Sequence, residues 1–395
     1  MATTVEQLAI PSLSISDSSP ELITFTPFTL PPSNQRTLSH PHPPNTTIPL
    51  ALKPSTQDPP PSLPSAISTI KHLQKTNTLT TLLATHGTLL FRSLQITSAT
   101  DFSAFAHAFG YKPHEIIGIV VDRPELAPNV APANEAPSHV RIYNHNESPQ
   151  VPHAPEYVFF WNKKAPQVGG ETPLSSSLEL FYRVQREIPE FIEELAEKGI
   201  LSSVTYKREA QYAGGSTLRQ AFGKEIVDGD DEGTQRAKIE AQIARYNRGE
   251  YTGFDWKDGG ETLVVTHRLP VIRTQPGTNL PTLFTGLAAY YKNKLASESG
   301  SATGRKSVAE QLFGDGTVIP ERYLEVVARI TDEIRVLHRW EEGDVLVFDN
   351  VIAQHGREPW EGEQGDRVVL ASLFDGVAPG GYGFGGWSRV QKALD

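Results

Sequence analysis

Residues 144–173 read NHNESPQVPHAPEYVFFWNKKAPQVGGETP. They hold the only His-x-acid triplet of the chain, His145-Asn146-Glu147, then an aromatic run and a Gly-Gly-Glu-Thr turn. Residues at i and i+2 of a strand project from one face. One imidazole and one carboxylate at that spacing can reach a single metal ion. A third ligand must come from a neighbouring strand or loop. That completes a two-His-one-carboxylate face, which leaves positions open on ferrous iron. Alone the triplet is weak, since 12 His and 46 acids among 395 residues produce about one by chance.

A second stretch supplies what is missing. FDNVIAQHGREPWEGEQGDRVVLASL, residues 348–373, sets His355 just after an apolar strand and Arg367 at the start of the next. A hairpin is expected to bring these two together. His355 then serves as third ligand. Arg367 offers a planar fork for a carboxylate, and an Arg opening an apolar strand needs a reason to be there.

Composition removes other chemistries. There is no cysteine, so disulfides, thiolate zinc sites, iron–sulfur clusters and Cys nucleophiles are excluded. The net charge of −10 argues against nucleic acid or an anionic membrane as partner. No signal peptide and no spanning run of about 18 apolar residues is visible. A cytoplasmic protein acting on a small-molecule substrate is the expectation. Gly381, Gly383 and Gly386 satisfy G-x-G-x-x-G, but no βαβ pattern surrounds them and a dinucleotide site is rejected.

Outward from residue 144, the pattern is short strands separated by turns, with helices before, between and after. Residues 1–66 are rich in Pro, Ser and Thr and read as an irregular arm. Residues 65–87 have helical spacing ended by Gly87, and Thr88–Arg92 reads as a buried strand. DFSAFAHAFG is a short helix with Asp101 as N-cap. LELFYRVQREIP, EFIEELAEKG and PERYLEVVARITDEIRVLH are amphipathic helices. A helical insertion is expected around 208–260, and a flexible loop at 297–306. The fold class is mostly β with flanking helices, around a double-stranded β-helix (jelly-roll) core. Residues 67–395 form one domain in this reading.

The order H-N-E, G-G-E-T-P, D-N-x-x-x-x-H-G-R and R-V-V-L-A-S-L resembles the taurine dioxygenase and clavaminate synthase-like family of Fe(II)/2-oxoglutarate oxygenases. LLFRSL…DFSAFAHAFG and LPVIRTQP…LFTGL look like that family's earlier segments. The resemblance implies His145, Glu147 and His355 as iron ligands. It implies that Arg367 and Thr172 hold the distal carboxylate of 2-oxoglutarate, with Gly169 and Gly170 admitting a close turn. Fe(II), 2-oxoglutarate and O2 are the implied cofactors. Glu147 as the acid matches the clavaminate synthase branch and disfavours halogenation. Taurine-type members carry a second Arg where this chain has Ala371, so sulfonate recognition of that kind is not expected. Asn144, Phe284 and Arg357 are candidate substrate contacts, each with a plainer reading as loop support, core or surface charge. His153 has no evident role. The implied activity is oxidation of an unactivated C–H of a small polar acid, an amino acid among the options, by hydroxylation, desaturation or cyclisation in secondary metabolism. The alternatives are a cupin-like metal enzyme without 2-oxoglutarate and a non-catalytic jelly-roll binding module.

Overall fold

The computed structural model describes residues 22–30, 32–55, 59–118, 123–133, 136–209, 217–246, 251–275, 278–299 and 310–376. The readings of the first 21 residues, of 300–306 in the expected loop and of the Gly-rich end fall outside them. In the main sheet the Val345–Asp349 strand lies between Thr88–Phe91 and Tyr157–Lys164, antiparallel to both. Val368–Asp375 pairs with the other side of Tyr157–Lys164. Both faces are covered. Leu89, Phe91, Phe159, Trp161, Val345 and Val347 join one cluster with the helices Leu63–Lys75, Thr78–His86 and Ala99–His107. Their neighbours Leu90, Val158, Phe160, Leu346 and Phe348 face the other way. Two-sided burial explains why VFFW and VLVF are unbroken apolar runs instead of alternations.

The opposite face meets a second, three-stranded sheet, in which Ala353–Arg357 lies between Leu174–Ser176 and Ile142–His145. Leu174 and Ala353 pack into the layer between the sheets with Phe160, Phe348 and Val369. The functional candidates sit on this smaller sheet and along its rim. The fold is sheet-rich and mixed. Its helices are as prominent as its strands.

Several local expectations change. The run at 65–87 is two helices, because Asn77 takes a left-handed conformation (φ 59°) between them. The Ala99–His107 helix is capped by Ser98, and Asp101 is the reciprocal partner of a capping box, the side-chain exchange that satisfies two free N–H groups. Part of the N-terminal arm enters the main sheet. Leu50–Pro54 pairs in parallel with Thr88–Phe91 and carries Phe25–Pro27 on its outer edge. The region around 208–260 is more than helical. Ile200–Lys207, Thr252–Lys257, Thr262–Leu269 and Glu310–Phe313 form a four-stranded antiparallel sheet. With Phe222, Ile239 and Ile243 from two helices it has its own apolar cluster. Among the described residues no helix is long and apolar enough to cross a membrane.

Candidate active site

His145 ends the Ile142–His145 strand, and His355 is its register partner on Ala353–Arg357. Their ring centroids lie 4.8 Å apart. Glu147 is not on the strand, contrary to the same-face expectation. The chain leaves the ladder after His145 and turns at Ser148 (φ 54°). A side chain replaces the lost ladder: Asn350 Oδ1 accepts the Glu147 N–H at 2.7 Å, and Asn350 Nδ2 donates to the Glu147 backbone carbonyl at 3.0 Å and that of Pro155 at 2.7 Å. So held, Glu147 Oε2 lies 3.3 Å from His355 Nε2. One ligand atom from each of His145, Glu147 and His355 falls within 4.8 Å of the others.

The surroundings set each donor. Nδ1 of His145 lies 2.8 Å from the Tyr143 carbonyl and donates to it, which leaves Nε2 as the available lone pair. The His355 ring is walled by Phe160 and Phe348, at centroid distances of 5.0 and 5.4 Å. Its Nδ1 is buried without a hydrogen-bond partner. Burial pushes the Glu147 carboxyl up in pKa, but the His355 hydrogen bond and the charges of His355, His145 and Arg123 outweigh it and hold it down at about 2. Glu147 is thus a carboxylate at neutral pH. Two metal bonds of about 2.1 Å at angles between octahedral and tetrahedral separate their donors by roughly 3.0–3.4 Å. The observed 3.3 Å between His355 and Glu147 fits that span, and a two-nitrogen, one-oxygen donor set fits ferrous iron.

A buried amide network lies behind the cluster. Asn146, fully buried between His145 and Glu147 in the chain, donates to Ser177 Oγ at 3.0 Å and to the Asn350 backbone carbonyl at 2.6 Å. Its own oxygen accepts from the Thr285 N–H at 2.8 Å and Gln354 Nε2 at 3.2 Å. Sequence reading missed Asn146, Asn350 and Gln354. The available signal was that polar amides occupy apolar surroundings next to the proposed ligands.

Arg367 and Thr172 meet, though not by the expected hairpin. Ala353–Arg357 and Val368–Asp375 belong to different sheets, so Arg367 reaches the turn before Leu174, the strand partner of His355. Its Nε donates to the Gly170 carbonyl at 2.7 Å and its Nη2 to Thr172 Oγ1 at 3.2 Å. Trp340 Nε1 also donates to Thr172 Oγ1, at 3.1 Å. Both neighbours donate, so the hydroxyl hydrogen of Thr172 stays free to donate in turn. No carboxylate lies within 4 Å of Arg367 among the described residues. Burial and the Arg357 charge, against Glu171, push Arg367 down to about 9, still charged at neutral pH. Gly170 makes the approach possible: at φ 73°, a Cβ there would meet Pro166 at 2.6 Å and Arg367 Cδ at 3.1 Å.

The substrate candidates are all buried and engaged. Asn144 donates to Ser175 Oγ at 2.9 Å, tying two strands of the small sheet. Arg357 donates to the carbonyls of Ala136, Pro137 and Val140. Phe284 packs its ring 3.4 Å from the Arg273 guanidinium carbon.

A model of the taurine catabolism dioxygenase TauD, TfdA family matches residues 65–372. The chain belongs to that family. It is an Fe(II)- and 2-oxoglutarate-dependent dioxygenase, an oxidoreductase that uses O2. A clavaminate synthase-like protein of Arabidopsis thaliana is 29% identical over 331 residues, covering 84% of this chain and 91% of the relative. The dapdiamide synthesis protein DdaC of Enterobacter agglomerans is 26% identical over 304 residues, covering 75% and 85%. Among solved structures, PvcB of Pseudomonas aeruginosa aligns over 93% of this chain and 95% of its own, with a TM-score of 0.47 at 15% identity.

Proposed function

We propose that this dioxygenase holds Fe(II) on His145, Glu147 and His355, binds 2-oxoglutarate through Arg367 and Thr172, and oxidises an unactivated C–H of a small polar carboxylic acid, an amino acid or a relative of one. The two facing sheets are, in this reading, a double-stranded β-helix that opens at the His145–His355 pair. The observation that carries the reading is the unmatched donor pair. The Arg367 guanidinium has no carboxylate partner among the described residues, and beside it Thr172 keeps a free hydroxyl hydrogen. A carboxylate satisfies both, and a cupin-like enzyme without 2-oxoglutarate leaves both unexplained. Thr172 stands two residues before the strand partner of His355, so a short dicarboxylate gripped there lies along the strand that leads to the metal cluster.

Bound Fe(II) supplies the coupling of O2 reduction to oxidative decarboxylation of 2-oxoglutarate, giving succinate and CO2 and oxidising the substrate. The chain's own groups do the positioning. Arg367 and Thr172 fix one end of the cosubstrate. Asn350 fixes Glu147, and Tyr143 fixes the His145 ring. Phe160 and Phe348 exclude water behind His355. An amino-acid-type substrate is supported by the relative named for dapdiamide synthesis and by Ala371, which removes the anion contact of taurine-type members. The test is a screen of amino acids and related acids for substrate-stimulated succinate release, with an anaerobic titration of Fe(II) and 2-oxoglutarate followed by visible absorption. A charge-transfer band and stimulated succinate are expected. Absence of both with folded protein overturns the reading.

A further inference from the structure

A second cluster has the composition of the first and shares no residue with it. His114 follows the Lys112–Pro113 strand, His153 lies in the turns between Glu147 and the Tyr157–Lys164 strand, and Asp375 ends Val368–Asp375. The Asp375 carboxylate spans the two rings, with Oδ1 2.7 Å from His114 Nδ1 and Oδ2 3.5 Å from His153 Nε2. The rings lie 4.5 Å apart at 30°. The His145–His355 pair has 4.8 Å and 49°, with a His–carboxylate distance of 3.3 Å. In each cluster the three ligand atoms fall within 4.8 Å of one another.

The second cluster is the more buried of the two. Its side chains are 3%, 12% and 11% exposed for His114, His153 and Asp375, against 30% for Glu147. Among the described residues no Lys or Arg comes within 4 Å of Asp375, and its ion-pair partners are the two imidazoles. Lys112 adds a weaker positive charge from beyond that distance. A buried carboxylate needs a cation or a full set of hydrogen bonds. Two imidazole nitrogens and one carboxylate oxygen converging in a nearly closed corner are a donor set for a first-row divalent ion, with water as fourth ligand; the 2.7 Å His114–Asp375 contact is a hydrogen bond that opens to roughly 3.0–3.4 Å when an ion replaces the shared proton.

We propose that His114, His153 and Asp375 bind a second divalent transition-metal ion of the zinc class. The ion is structural: it pins the end of the last described strand to the turns that follow Glu147. The proposal rests on these side chains alone; only the total of two ions per chain also draws on the first cluster.

The experiment is metal stoichiometry on the full chain. Protein stripped with a chelator is dialysed against Zn2+, passed through a desalting column and analysed for zinc per chain. Wild type is expected to retain two ions. H153Q and D375N each retain one, and so does the double variant H145Q/H355Q. Adding H153Q to that double variant leaves none. Wild type with Zn2+ should also unfold at a higher temperature than without it, even with the first cluster removed by H145Q/H355Q, and H153Q should abolish that gain. One ion in wild type and none in H145Q/H355Q would overturn the proposal, leaving a hydrogen-bonded His–Asp–His corner. Two ions retained by both H153Q and D375N would overturn it equally. If D375N fails to fold, H153Q, whose side chain sits in a turn, decides alone.

Discussion

At the scale of single residues, the side chains that stood out in the sequence were those whose chemistry is scarce. An Arg opening an apolar strand and a His two residues before a Glu are costly to bury without a partner, so their positions carried information. Arg367→Ala is expected to raise the KM for 2-oxoglutarate roughly 100-fold, the loss of charged hydrogen bonds worth about 3 kcal/mol. Fe(II) affinity, measured separately by anaerobic titration, should stay within about threefold. Equal loss of both would mean that Arg367 supports the fold instead. Gly170→Ala should act in the same direction from a different cause, because its Cβ collides with Pro166 and the Arg367 stem. We expect a stability loss of roughly 1–3 kcal/mol from strain and overpacking, read by urea denaturation, together with a raised KM for 2-oxoglutarate. Asn146, Asn350 and Gln354 were not legible in this way. An amide is chosen by the donors and acceptors around it, and those come from segments some 200 residues apart, as in the 203 between Asn350 and Glu147.

At the scale of elements, the apolar strands were legible because burial on both faces leaves continuous hydrophobic runs. Their pairing was not. Proximity in sequence suggested a hairpin from His355 to Arg367, yet the two strands lie in opposite sheets, as sandwich connections allow. The helix at 65–87 split at Asn77 because one residue in a left-handed conformation breaks the hydrogen-bond ladder while leaving the apolar spacing intact. The turn after Val345–Asp349 yields two predictions. Asn350→Ala should release Glu147 from its clamp and weaken Fe(II) roughly 10–100-fold, the usual effect of removing a support behind a metal ligand. Asp349, the strand residue just before that turn, is pushed up to about 7 by burial, with Glu156 adding to the effect, against the Val351 and Ile352 N–H bonds. Its folded pKa is raised above the unfolded value of about 3.9, so the stability it contributes is full below pH 4 and lost as pH rises to 7. Relative to Asp349→Asn, wild type should lose roughly 2–4 kcal/mol between pH 4 and pH 8. Parallel urea curves for the two proteins would refute this.

At the scale of the whole molecule, a sheet-rich body with an iron-type site was legible, and the extent of the helical layers was not, since amphipathic helices announce themselves singly and their sum depends on how they pack. Acid stability is a property of the whole. His338 is pushed down to about 3 by burial, then by the Arg92 and Arg367 charges, and His267 to about 4 by burial. Both folded pKa values are depressed below the unfolded 6.5, so the native state is favoured above pH 6.5 and loses ground as pH falls towards 4. At pH 5 each group costs about 2 kcal/mol. His338→Phe should therefore flatten the stability profile between pH 7 and pH 5 by about that amount, and an unchanged profile would show that His338 takes up its proton without unfolding.

The order of strands in the main sheet differs from their order along the chain. Val368–Asp375 is made last among the described strands, yet it lies inside the sheet, with Tyr157–Lys164 on one side and Lys112–Pro113 and Ala131–Pro132 on the other. The contact from His114 to Asp375 spans 261 residues. During synthesis, a nascent chain that has already emerged past His145, Glu147 and His355 still presents the open edge of Tyr157–Lys164. The sheet waits for Val368–Asp375, and a message truncated just upstream of Arg367 yields a chain that carries His145, Glu147 and His355 while the Tyr157–Lys164 edge stays open.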